Sequence, residues 1–264
     1  MIIDTHTHVY PDKIALKASA SIGRFYGIDM RFDGSVSMLT ENCLKAGVDK
    51  CVICSVATTP RQTRSINDFL AETVREAKDI SFAAHCALHQ DMTEDEIERE
   101  LNYAESLGMV GIKLHPDFQR FKIDDPCGYK IYERAEGRFP ILFHAGDIRH
   151  DYSQPFRIEK VLRDFPRLTV IAAHFGGWSD WDEGARALAG KPNLYVDSCS
   201  SLYAISPEKA LALVRAFGAE NVLFGSDYPM WDSADEIEMI ERLGLTGREL
   251  DLIMSGNASR LFGI

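Results

Sequence analysis

The chain has 264 residues, 45% of them hydrophobic and 26% charged, with a formal net charge of −11. That composition supports a full globular core, while the acidic balance excludes the basic face needed for nucleic acid and electrostatic docking to acidic lipid. No apolar run reaches the roughly 18 residues of a membrane span, and Met1-Ile2-Ile3-Asp4 does not read as a leader, so a cytoplasmic location is expected.

The first apolar run, Ile2-Ile3-Asp4-Thr5-His6-Thr7-His8, reads as a strand. Residues two apart on a strand share a face, so His6 and His8 point the same way, with Asp4 one step behind them. Two neutral imidazoles converging at a strand end read as half of a metal site. Residues 10–35 then break the rhythm, with Arg24, Phe25, Tyr26, Arg31 and Phe32 among them. Such an insertion is either a lid over the strand ends or a decoration packed on neighbouring helices.

From there short β-branched runs begin near Val48, Ile80, Met109, Phe139, Leu168, Asn193 and Asn221. Helical stretches alternate with them at 37–46, 65–77, 93–107, 127–136, 156–164, 183–188, 207–217 and 233–243. Thr93-Glu94-Asp95-Glu96 is a capping-box start, and Pro207 after Ser206 suits a first helical position. Residues 246–254 and 257–262 read as a terminal helical closure. With the first run there are eight candidate strands, recurring after the insertion at about 25–31 residues. That is the length of a strand–helix module. The fold expected is α/β, a distorted (β/α)8 TIM barrel with an insertion after strand 1, forming one domain over 1–264. A doubly wound sheet is the alternative, and no Gly-rich phosphate loop supports it.

The six cysteines are scattered rather than spaced as a disulfide framework. Cys51 and Cys54 form a C-x-x-C, but three residues apart on a strand their side chains face opposite ways. They read as buried thiols rather than a redox or zinc pair.

In a barrel of this kind chemistry gathers where the strands end. The fourth run closes on Lys113 and His115, the fifth on His144, and the sixth on His174. The seventh closes on Asp197, Ser198 and Ser200, and the eighth on Asp227. Of eight histidines, five sit at these ends, and only His85, His89 and His150 fall elsewhere. A lone strand histidine is usually an ordinary core residue; this joint placement points to a metal centre. Arg149, His150, Arg120 and Lys122 are loop cations near the mouth, of which Arg149 is the candidate for gripping a substrate carboxylate. Trp178, Trp181, Tyr228 and Trp231 are candidates for an aromatic pocket wall.

The Asp4-x-His6-x-His8 start, His144, His174, the Gly225-Ser226-Asp227-Tyr228-Pro229 run and the closing Gly256-Asn257-Ala258-Ser259-Arg260-Leu261-Phe262-Gly263 together resemble the amidohydrolase superfamily. The nearest branch is the amidohydrolase-related group containing aminocarboxymuconate-semialdehyde decarboxylase-like enzymes. The resemblance spans the chain and implies one divalent metal held by His6, His8, His144 and Asp227. It also implies that His174 acts in acid–base or polarising chemistry. Two-metal relatives bridge their ions with a carboxylated Lys or a Glu on the fourth strand, a place Lys113 could take. In the single-metal reading Lys113 contacts a substrate carboxylate, and His115 contacts metal or substrate.

Imidazole and carboxylate ligands suit zinc first, and manganese or iron as well. An open coordination position lowers the pKa of a bound water to about 7. In that scheme Asp227 receives the proton and His174 stabilises the oxyanion or protonates the leaving group. The function expected is a metal-dependent hydrolase cleaving a C–N or C–O bond of a small, carboxylated substrate. A non-oxidative decarboxylase uses the same ligands and is the alternative; a metal-binding scaffold without catalysis is a third. A homodimer is the default on fold-level analogy alone.

Overall fold

The computed structural model describes residues 1–264. Its strands are β1 (Ile3–His8), β2 (Lys50–Cys54), β3 (Ser81–Ala87), β4 (Gly111–Leu114), β5 (Ile141–Phe143), β6 (Val170–Ala172), β7 (Leu194–Asp197) and β8 (Val222–Leu223). They are parallel and follow one another in chain order. Beyond the short β8 the barrel closes through the main chain: Thr5 N donates to Phe224 O (2.9 Å), Asp227 N to His6 O (2.8 Å) and His8 N to Tyr228 O (2.7 Å). Gly225 permits this approach, since a Cβ there would stand 3.0 Å from the Cβ of His6. The expected (β/α)8 barrel is the observed one.

The helices are α1 (Asp12–Tyr26), α2 (Val36–Ala46), α3 (Thr63–Glu76), α4 (Glu94–Ser106), α5 (Pro116–Gln119), α6 (Pro126–Ala135) and α7 (Pro155–Asp164). They continue with α8 (Trp181–Leu188), α9 (Pro207–Phe217), α10 (Ser233–Glu241), α11 (Gly247–Asp251) and α12 (Asn257–Phe262), the last two joined by one π-helical turn, Leu252–Gly256. Local chemistry sets their starts: Thr93 and Glu96 form the reciprocal capping box of α4, and Ser206 caps α9 ahead of Pro207. The insertion holds α1, which the sequence did not reveal as a helix.

Two apolar layers result. A cluster of 54 buried residues fills the space between strands and helices, and a cluster of eight lies inside the barrel. The inner cluster includes Ile3, Val52, Leu142, Ile171 and Leu223, and α12 plugs it with Ala258, Leu261 and Phe262. That plug forms the barrel floor.

β1 carries an irregularity that decides where the site lies. Asp4 pairs with Cys51 and Thr7 with Ile53, so β1 spends one residue more than β2 between these pairs. The bulge reverses which alternate residues face inward. Asp4 therefore turns outward with Cys51, which lies against Cys43 of α2, whereas His6 and His8 turn into the barrel. The expectation that Asp4 shares the face of the two histidines is corrected by this extra residue. Cys51 and Cys54 do face opposite ways: the Cys54 sulfur lies inside, 3.6 Å from His8 Nδ1.

Candidate metal centre

The inward turn of β1 brings His6 Nε2 and His8 Nε2 to 3.1 Å from each other. Asp227 Oδ1 stands 3.6 Å from the first and 3.5 Å from the second. Ligand atoms bonded at about 2.05 Å and spread at the tetrahedral angle lie about 3.3 Å apart. The observed spacings are therefore those of donors around one ion.

Protonation agrees with this. Burial, followed by the charge of Lys113, holds His6 well below the ordinary imidazole range and lowers His8 to about 3. Burial pushes the Asp227 carboxyl up, but His6, His174 and His8 outweigh it and leave the group below its usual value. Neutral imidazoles beside an ionised carboxylate are the forms that bind a divalent cation.

Neighbours fix the donors. His6 Nδ1 donates to Asp197 Oδ2 at 2.8 Å, which aims the Nε2 lone pair at the shared point. The other oxygen of Asp197 accepts from His174 N (2.7 Å) and from the Cys199 thiol (3.0 Å). Ser200 Oγ donates to Asp227 Oδ2 at 2.5 Å, and Trp231 Nε1 to Ser200 Oγ at 2.8 Å. His174 and Asp227 both hold positive φ, 61° and 60°, a strain of about 1–3 kcal/mol each of the kind that gathers at functional sites. Asp4, expected to support the histidine rings, instead ties strands: it accepts from the main-chain N of His6 (3.2 Å) and Ser226 (3.0 Å). Burial pushes its carboxyl up to about 7. The orienting carboxylate is Asp197.

His144 enters through His174, its Nδ1 lying 3.0 Å from His174 Nε2. His174 Nδ1 lies 3.1 Å from the Cys199 carbonyl. Lys113 is buried, and its Nζ lies 2.8 Å from His6 Nε2, against the donor group itself. His115 stacks on His144 with centroids 4.2 Å apart and meets the Tyr26 hydroxyl at 2.9 Å. One cavity of about 540 Å³ has His6, His8, Lys113, His115, His144, His174 and Asp227 at its base.

The insertion covers that cavity. Ile14, Ala18, Ile22 and Phe25 of α1 line it at helical spacing, and Tyr26 reaches the base. Of the two roles the sequence left open, the structure shows the covering one.

Arg149 does not line the cavity and is not free to grip a carboxylate. Its Nε and Nη2 donate to Asp147 (2.9 and 2.7 Å), and its Nη1 donates to the Phe25 carbonyl (2.9 Å). Asp147 two residues away captures the fork, which then anchors the end of α1. Lys122 pairs with Asp151 at 2.9 Å. Trp178, Trp181, Tyr228 and Trp231 do not line the cavity either. Trp178 packs on Tyr26 and Tyr228 on Phe32, while Trp231 stacks on Tyr203. The aromatic lining comes from Tyr10, Phe25, Tyr26, Phe69 and Phe118.

Sequence reasoning also missed Cys54, Cys199, Asp117 and Tyr26. The cysteine sulfurs lie 3.6 Å from His8 Nδ1 and 3.2 Å from His6 Nδ1. Burial raises both thiols, Cys54 to about 12, so they act as neutral packing beside the donors. Asp117 Oδ2 stands 3.8 Å from His144 Nε2, with burial raising its carboxyl to about 6.

No curated protein sequence matches the chain at the level that would count as a relative. Among solved structures it is similar to an uncharacterized TIM-barrel protein of Bordetella bronchiseptica, at 22% identity and a TM-score of 0.76 over 99% of this chain and 98% of that one. It is also similar to the 5-carboxyvanillate decarboxylase LigW of Sphingomonas paucimobilis, at 18% identity and a TM-score of 0.75 over 100% and 99%. A third is a dihydroxybenzoic acid decarboxylase of Polaromonas sp. JS666 holding manganese and 2-nitroresorcinol, at 17% identity and a TM-score of 0.75 over 99% and 96%. At these identities the likeness establishes the fold. The family model described as amidohydrolase matches residues 3–264, from β1 through the closing helix, and the chain belongs to that family.

Proposed function

We propose that the protein is a metal-dependent, non-oxidative decarboxylase of a small carboxylic acid. The observation that carries this reading is the distribution of charge in the cavity. Lys113, Asp227 and the histidines lie together at its base, and the remaining lining carries no charged side chain. A carboxylate is drawn to the cation and donor groups at that base, and the uncharged lining above them keeps water from the bond to be broken. The decarboxylases among the similar folds support the same reading.

His6, His8 and Asp227 would hold a divalent ion, with His144 and His174 as the adjoining pair. Their nitrogen and oxygen donors admit zinc, manganese or iron. When bound, the ion supplies a Lewis acid that orients the carboxylate and offsets its charge. The protein supplies the rest. Asp197 and Ser200 keep His6 and Asp227 in register. With Nδ1 turned to the Cys199 carbonyl, His174 presents Nε2 toward His144 at the cavity base. Protonated there, it delivers a proton to the carbon as the C–C bond breaks: the bond's electron pair stays on that carbon, and CO₂ leaves neutral. The test is a panel of aryl and alkyl carboxylic acids in D₂O. Stoichiometric CO₂ and one deuterium on the product carbon are expected; consumption without CO₂ would overturn the reading.

One observation favours the hydrolase as a second reading. Lys113 Nζ stands 2.8 Å from His6 Nε2, beside a donor group, where a carboxylated lysine would add a further metal-holding group. Growth with ¹³C-bicarbonate followed by carbamate resonance and metal counting separates the two. A carbamate signal with two ions per chain supports this hydrolytic reading, and a free amine with one ion removes the observation that favours it.

A further inference from the structure

The apolar wall above the donor groups is a built feature, and it has something to say about the substrate. Past the base, α1 contributes Ile14, Ile22 and Phe25, the loop after it Met30, and α3 contributes Ile66 and Phe69. These side chains are exposed or half-buried, with their free surfaces turned into the cavity. The polar groups among them (Tyr10, Ser21, Ser55, Thr58, Gln62 and Ser65) are uncharged. Arg149, whose guanidinium reaches the end of α1, is held by Asp147 and the Phe25 carbonyl.

We infer that this wall binds the non-reacting body of the substrate, and that the body is uncharged and apolar, so that the substrate is a monocarboxylic acid with an aryl or alkyl body. The inference rests on the proposed chemistry at the base, because it assigns the single acidic head to that end. A second carboxylate on the body would meet Ile22, Phe25, Ile66 and Phe69 with no cation to pair with. A buried charge in that position is strongly disfavoured. An apolar body gains by leaving water, at about fourfold in affinity for each methylene it buries. A cavity of about 540 Å³ fits a small organic acid with such a body.

The order of the chain provides for this. Ile14, Ala18 and Ile22 fall four residues apart, so one stripe of α1 faces the cavity, while Gly27 ends the helix in a left-handed cap. The insertion thus contributes a polar tip, Tyr26, at the base and an apolar face above it.

The test uses the metal-loaded protein and a series of alkyl hydroxamates, from acetohydroxamate to octanohydroxamate, with binding read by calorimetry. Affinity is expected to rise about fourfold per methylene until the cavity is filled. Suberic acid monohydroxamate, which carries a carboxylate at the far end, is expected to bind at least about tenfold more weakly than octanohydroxamate. Ile22→Asp should flatten the chain-length dependence. Ile22→Ala, a milder change, should weaken octanohydroxamate more than acetohydroxamate. A flat series in the unaltered protein, or equal binding of the monohydroxamate with the terminal carboxylate, overturns the inference. Failure of the reading at the base shows up separately, as absence of bound metal and of acetohydroxamate binding while the chain-length dependence persists.

Discussion

The two ends of the barrel are built from the same eight strands and do opposite things. At the floor, Ile3, Val52, Leu142, Ile171 and Leu223 pack against α12, all apolar and all nearly inaccessible. Two or three residues further along β1, β5 and β6 come His6, His144 and His174, and on β4 and β7 Lys113 and Asp197; they are just as buried, yet each is polar. Burying such groups costs free energy unless every one is partnered. At the mouth these five groups are partnered through a network in which Asp197 alone accepts from His6, His174 and Cys199. The floor holds the barrel together and the mouth spends stability on a donor array. Variants at the two ends should therefore separate the two properties.

The largest effect is expected at the mouth. His6→Ala removes the donor that touches His8, Asp227, Lys113 and Asp197, and should bring bound metal to near zero by elemental analysis and turnover to background. Metal content that stays stoichiometric would break the ligand assignment. His174→Asn should lower turnover by about 10²–10⁴, the usual range for a positioned acid or base. Its metal content should fall much less than its rate; equal losses of both would move His174 into the ligand set with His6, His8 and Asp227.

At the floor the sign of the comparison reverses. Ile171→Ala should cost about 2–5 kcal/mol in chemical denaturation, with metal per folded molecule unchanged. If this variant shed metal before it unfolded, the two ends would be coupled and the division argued above would be wrong. Asp197→Asn sharpens the comparison within the mouth. It keeps the shape and weakens the acceptor for His6 Nδ1, and metal affinity should drop about 10–100-fold. Competition with a calibrated chelator reads that change.

The floor and the mouth also differ in how far the sequence reveals them. Strand ends were legible because each apolar run stops at a polar residue, and five histidines and Asp227 stop runs in this way. The floor was legible as a set of β-branched runs. The bulge in β1 was not, because one extra residue leaves the alternation looking regular while it turns Asp4 outward and the histidines inward. Nor were the contacts of Cys199 and Cys54 with the histidine rings, which are made between residues distant in the chain, Cys54 lying beside His8 on the neighbouring strand. The covering role of α1 depended on packing that periodicity alone does not specify.

Arg149 is where local sequence was most open to misreading, and it carries the smallest expected effect. Asp147 and Arg149 are two residues apart, and the carboxylate takes both Nε and Nη2 while also accepting from the Arg149 main-chain N at 3.0 Å. The fork is therefore occupied before any substrate arrives. Arg149→Lys keeps a positive charge beside the buried Asp147, so that carboxylate is not left alone, but it removes the planar two-point fit. With the guanidinium partly exposed, the stability loss should be about 1 kcal/mol or less. KM for a carboxylic acid substrate should then stay within about fivefold and kcat should be unchanged, since the cation acts on the end of α1 rather than on the ligand. If Arg149 instead gripped the substrate, losing a charged two-point contact worth about 1.5–3 kcal/mol would raise KM more than tenfold. A rise of that size would restore a carboxylate-binding role to the rim and would undercut the assignment of an uncharged body to the cavity wall.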